Sequence, residues 1–154
     1  MSAWDELKRE VAIELEQLEG LLASHRSLLE KCRTASPDAV ERSALAAVLH
    51  AFYTGVENVF VRIAVRVDGA KPESGAWHQE LLTSIATASP SREAVLSADT
   101  VKRLSEYLAF RHVFRHSYTF QLRWEKMRHL VLGLDEMLER LREEIAAFLK
   151  RLTE

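Results

Sequence analysis

Apolar residues recur at alternating three- and four-residue steps along most of the chain. Trp4, Leu7, Val11, Leu15, Leu18, Leu22 and Leu29 form one stripe, widened by Leu21 and Leu28, with His25 filling its gap. That period marks an amphipathic helix, predicted over 3–34, and His25 reads as a packed histidine on its apolar face. Thr34-Ala35-Ser36-Pro37-Asp38 then stops one helix and starts another. Ser36 suits the cap, Pro37 the first helical position and Asp38 the first turn. The second helix, 37–67, carries Leu45, Val48, Leu49, Phe52, Val56, Phe60, Ile63 and Val67 on one side. His50, Tyr53, Glu57 and Arg62 lie off that stripe, where a cleft could use them, and read first as a solvated or interface face. Gly55 is either a point of close helix approach or a tolerated lapse.

Val67–Gly75 is a loop by its Gly, Pro, Asp and Ser content. A short helix is predicted over 77–85, with His78 near its start. A second loop around Pro90 follows. Ser97 or Asp99 caps the next helix, 98–113, through Val101, Leu104, Tyr107, Leu108 and Phe110. The last helix, 120–152, runs from Trp124 through Met127, Leu130, Val131, Leu134, Met137, Leu138, Leu141, Ile145 and Phe148 to Leu152, with Gly133 as a mild interruption. Four long stripes and one short helix predict an all-α, up-and-down four-helix bundle. A length of 154 residues suits one domain, 1–154, with a substantial core.

Composition agrees. Five Gly and three Pro favour long helices over a strand-rich fold. The single cysteine, Cys32, excludes an intrachain disulfide and fits a reducing cytosol, so a cytoplasmic protein is expected. No apolar run approaches membrane-spanning length, and the start MSAWDELKRE is acidic and amphipathic, unlike a signal peptide. A net charge of −2 argues against a generic polyanion binder. The charge is uneven, however. Residues 1–30 hold seven acids and three bases, net −4, whereas 102–129 hold seven bases and two acids, net +5. Gly-rich phosphate loops, metal-ligand spacings, a Gly-x-Ser-x-Gly elbow and internal repeats are absent from the sequence. Glu125 and His129, four apart on a helix, read as a surface pair.

The basic segment contains Arg111-His112-Val113-Phe114-Arg115-His116-Ser117-Tyr118. A five-residue step turns an ideal helix so that Arg111 and His116 stand roughly 140° apart. For the two to converge, the helix must end or bend near Phe114, or the pair must be completed across a dimer axis. A short extended turn over His116, Ser117 and Tyr118 would point His116 and Tyr118 the same way.

The Arg-x-x-x-x-His-x-Tyr spacing of Arg111, His116 and Tyr118 resembles that of the HepT toxins, in the HEPN superfamily of small helical ribonucleases. His112 stands where Asn is frequent in that superfamily, and Ser117 where Gly is frequent. The resemblance implies a HEPN-like bundle and a toxin ribonuclease of a toxin–antitoxin pair. Its cleft would be completed by a homodimer and need no cofactor or metal. It further implies that a minimal nucleotidyltransferase antitoxin neutralises the toxin by transferring AMP to Tyr118.

The chemistry of the residues fits. RNA carries its own nucleophile, the ribose 2′-hydroxyl. Cleaving it takes a base, a cation for the charge building on phosphoryl oxygens, and a channel for the strand. His116 is the candidate base or acid. Arg111 is the candidate phosphate clamp, suited by its fixed charge and bidentate fork. His112, Arg115 and Arg123 are candidates for flanking phosphates. The rival reading is a non-catalytic helical module that binds a nucleotide or a nucleotidyltransferase partner, with Arg111 gripping phosphate only. A purely structural interaction domain is a third.

Overall fold

The computed structural model describes residues 2–152, and among these the architecture is all-helical, with seven α-helices and no β-strand. In chain order the α-helices are α1 (Asp5–Ser24), α2 (Arg26–Lys31), α3 (Ala39–Ile63), α4 (Trp77–Ile85), α5 (Ala98–Arg115), α6 (Trp124–Leu132) and α7 (Leu134–Arg151). A π-helical turn, Ala64–Asp68, extends α3, and a 3₁₀ turn, Thr119–Gln121, precedes α6. The four predicted long segments are α1–α2, α3, α5 and α6–α7. The extra short helix is α4. The central element is α3, which packs against α1, α4, α5 and α6.

The predicted stripes are the core. Leu7, Val11, Leu18 and Leu22 of α1 are buried against α3, whose own Leu45, Leu49, Phe52, Val56, Phe60 and Ile63 are all at most 1% exposed. At about 25 cal/mol per Å² of apolar surface removed from water, this burial is the main favourable contribution to folding. The Gly55 question is resolved as close approach: a Cβ there would come 2.5 Å from Leu18 Cδ2. Contrary to the sequence-based expectation, one apolar stretch does reach membrane-spanning length. Ala39–Asp68 is long and apolar enough to cross a bilayer by length and composition. Here it is the core helix, and 56% of its most apolar stretch is buried inside the bundle.

Two predicted helices are broken. The 3–34 helix divides at His25 (φ −113°, ψ 16°). Ser24 Oγ donates to Gly20 O at 2.8 Å and His25 Nδ1 bonds Leu21 O at 2.9 Å. Such side-chain bonds to the carbonyl four residues back compete with the helix ladder. The 120–152 helix begins only at Trp124 and divides at Gly133 (φ −91°, ψ 0°). There Tyr107 Oη donates to Leu130 O at 2.7 Å, satisfying a carbonyl of the interrupted turn. The cap of α3 is Asp38 rather than Ser36, and Pro37 lies outside the helix. Asp38 accepts from Glu41 N at 2.8 Å while Glu41 accepts from Asp38 N at 3.0 Å, a capping box. Ser97 caps α5, accepting from Thr100 N.

Arg92 fixes the loop between α4 and α5. Its buried guanidinium takes both carboxylate oxygens of Asp68 at 2.8 and 3.1 Å, and also the carbonyls of Ser84, Thr87 and Glu93.

Candidate functional site

The motif lies where α5 ends. The helix passes Phe114 and stops at Arg115, with His116 as its C-cap (φ −115°, ψ 10°). Tyr118 is extended (φ −73°, ψ 143°) whereas His116 is not, so the predicted extended turn does not include His116. Tyr118 N donates to Gln121 Oε1 at 3.2 Å, and Gln121 N donates back to Tyr118 O at 3.0 Å. The short 3₁₀ turn is thereby locked.

Arg111 and His116 keep different company within one chain. The Arg111 guanidinium is half-buried, and its Nη1 lies 3.5 Å from His78 Nε2. The His116 ring is exposed and packs on His112, one turn back, with ring centroids 4.5 Å apart. Among the described residues, no hydrogen bond or ring contact joins Arg111 to His116.

Around Arg111 the structure assembles residues that sequence reasoning had left as a solvated face or as a lone histidine. Tyr53 is fully buried and Glu57 is 4% exposed. Glu57 Oε2 lies 2.7 Å from His78 Nδ1, so a carboxylate, an imidazole and a guanidinium form one array across α3, α4 and α5. His50 stacks at 5.2 Å on Phe114, and burial, with Arg111 and Arg115 adding to it, holds its pKa below the usual value. Burial, with Glu57 adding to it, pushes the Tyr53 hydroxyl well above the usual tyrosine range, partly offset by Arg111. Tyr53 Oη and Arg111 Nε are buried without a hydrogen-bond partner. The sequence did hold one signal: His50, Tyr53 and Glu57 fall at positions i, i+3 and i+7 of one helix face.

The outer side is open and basic. His112, Arg115 and Arg123 are exposed. Arg123 pairs with Glu125 at 3.2 Å, and His129 lies 3.7 Å from Glu106 instead of joining Glu125. Among the described residues, no carboxylate pairs with Arg115, His112 or His116. Tyr118 and Phe120 are each 73% exposed and stack at 5.7 Å with an interplanar angle of 16°. Beside them, between α5 and α6, runs a groove of about 440 Å³. It is lined by Phe110, Val113, Leu122 and Met127 with Arg123 and Lys126. The two other tyrosines are inside: Tyr53 is fully buried and Tyr107 is 3% exposed. Among the described residues, no group of three or more His, Cys, Asp or Glu side chains is placed to hold a metal ion.

Such a surface offers a packed imidazole pair, exposed cations and a stacked aromatic pair within one segment. These are groups that grip phosphates, stack bases and move protons. No curated protein and no solved structure matches the chain. The family model of HepT-like proteins matches residues 44–152, from α3 through α7 with the whole motif inside. HepT-like proteins are associated with toxin–antitoxin pairs and with HEPN ribonucleases. An all-helical bundle and a match over most of its length place the chain in the HepT-like family of the HEPN superfamily.

Proposed function

We propose that the chain is the toxin of a toxin–antitoxin pair, an endoribonuclease that cleaves RNA without a metal in a cleft completed by two copies. The observation that carries this is the Arg111-x-x-x-x-His116-x-Tyr118 constellation at the open, basic end of α5 in a HepT-like chain. His116 acts on the ribose 2′-hydroxyl or the leaving oxygen. Arg111 clamps the phosphate, and His112, Arg115 and Arg123 hold its neighbours. Because Arg111 faces inward and His116 outward within one chain, the working cleft joins groups from both protomers, and two His116 side chains supply base and acid. The stacked Tyr118 and Phe120 rings offer a platform for an unpaired base.

Tyr118 is the proposed AMP acceptor for a nucleotidyltransferase antitoxin. Its 73% exposure supports this, since the hydroxyls of Tyr53 and Tyr107 are out of an enzyme's reach. An added AMP places negative charge and bulk beside His116 and fills space an RNA phosphate needs.

The test is cleavage of cellular RNA in excess chelator by wild type and by His116→Ala. Cleavage by wild type alone is the expected result, with light scattering reporting a dimer. The inward tie of Arg111 favours the rival, a non-catalytic module that holds a nucleotide or partner. No cleavage by either protein, with nucleotide or partner binding intact, decides for that rival.

A further inference from the structure

We propose that His78 is a positioning residue: anchored by the buried Glu57 carboxylate, its imidazole sets where the Arg111 guanidinium sits and so governs its grip on an RNA phosphate. This rests on the reading of Arg111 as the phosphate clamp.

The argument begins with Glu57. A carboxylate only 4% exposed needs a hydrogen-bonding partner, or the fold bears the loss of its hydration. Its partner is His78 Nδ1, at 2.7 Å. Ionised Glu57 can only accept, so Nδ1 carries the hydrogen and the neutral ring has its lone pair on Nε2. That lone pair faces Arg111 Nη1 at 3.5 Å. A guanidinium has donors only, and a neutral imidazole bonded in this direction is a group that can receive it. Glu57, His78 and Arg111 thus stand in one line, with the ring in the middle. One buried carboxylate balances one arginine through a ring that lies between them.

The ring itself is held. It stacks on Trp77 with centroids 3.8 Å apart, and Lys71 Nζ lies 4.8 Å over the Trp77 ring. On the other side, Arg111 has little else to fix it. Its Nε is buried without a partner, and His78 is the one hydrogen-bond contact of its fork among the described residues. The rest of the fork is left for a phosphate, which arginine grips through paired N–H groups. Loss of His78 would therefore leave the guanidinium unplaced without touching His116, His112 or Tyr118.

The experiment is a double-mutant cycle. It measures the dissociation constant for a 2′-O-methyl RNA oligonucleotide, which cannot be cleaved, beside kcat and KM on the cleavable oligonucleotide. His78→Leu is expected to weaken binding about tenfold, the scale of one charge-assisted contact. Arg111→Ala should weaken it at least as much, and the double variant no further than Arg111→Ala alone. His78→Gln, whose amide keeps a donor and an acceptor, should recover most of the loss. That recovery separates positioning from a general weakening of the fold. Additive losses, or a His78→Leu protein that binds and cleaves as wild type does, overturn the proposal and leave the ribonuclease reading standing. A wild type that binds RNA without cutting it removes the ribonuclease reading, and the binding cycle still decides for or against His78. A wild type that does not bind RNA overturns both.

Discussion

Arg62 and Arg66, near the end of α3, and Arg115, Lys126 and Arg128, around the end of α5 and in α6, are five exposed cations that meet different company. Arg62 and Arg66 face Glu10 at 3.1 and 2.9 Å, and Arg62 also approaches Glu14 at 3.8 Å. They belong to the seam between α1 and α3, where the acidic start of the chain meets cations already on the fold. Arg115, Lys126 and Arg128 have no carboxylate partner among the described residues. Surface ion pairs contribute little to stability, so the seam is held by its buried leucines, with the charges setting register. These cations carry charge that no carboxylate of the fold offsets, which a polyanion can supply.

The sharpest contrast on the α5 side is between two tyrosines, one facing in and one facing out. Tyr107→Phe leaves Leu130 O without its donor and should lower unfolding stability by about 1–3 kcal/mol in a denaturant titration. Tyr118→Phe should change stability by less than about 0.5 kcal/mol. It should keep toxicity yet block AMP transfer, with mass spectrometry after co-expression with a nucleotidyltransferase as the readout. Adenylate on a Tyr118→Phe chain would sink the assignment of Tyr118.

The charge contrast itself is tested by pairs. Arg115→Ala with Lys126→Ala should weaken RNA binding about tenfold and lower the salt slope by about one per cation. Arg62→Ala with Arg66→Ala should leave both unchanged. An equal loss from the two pairs would erase the distinction between them. Within the seam, Gly55→Ala drives a Cβ against the buried Leu18 side chain, and thermal melting should show a net loss of about 1 kcal/mol after the gain in helix propensity. Arg66→Ala should cost less than that, and nothing measurable in high salt.

Acid should act on the two regions in sequence. Burial, with Arg111 and Arg115 adding to it, lowers the His50 pKa from its usual 6.5, so the unfolded chain binds the proton more readily. The contribution of His50 is complete above pH 6.5 and is lost as pH falls through its lowered folded value. Glu10, lowered from 4.5 first by its hydrogen bond to Arg66, keeps its contribution above pH 4.5 and loses it as pH falls through its own lowered value. A pH series of melting temperatures should therefore show an early decline that His50→Gln reduces, and a later one that Arg66→Ala reduces.

Much of the fold was legible because its cause is local. The three- and four-residue steps of α3 and α7 place nearly every stripe residue in the core. The break at His25 was not legible, since it leaves the stripe intact, while Gly133 read only as a mild interruption and not as the end of a helix. The first turns on side chains reaching back to carbonyls, the second on a hydroxyl arriving from α5. The motif could be read because Arg111, His116 and Tyr118 are close in sequence. The burial of Glu57 could not, because its partner His78 lies 21 residues away, on another helix.

The seam between α1 and α3 also governs how the molecule opens. The family match begins at residue 44, beyond α1, yet Leu7, Val11, Leu18 and Leu22 of α1 are at most 3% exposed. Arg142 of α7 holds α1 through Glu19 at 2.5 Å, and Asp135 of α7 holds the start of α2 through Arg26 at 2.8 Å. Lifting α1 away would bare the apolar side of α3 to water and cut the Glu19 tie. Burial of this kind couples fraying to the whole bundle, so the amide hydrogens of α1 should exchange on the timescale of global unfolding in a hydrogen-exchange measurement.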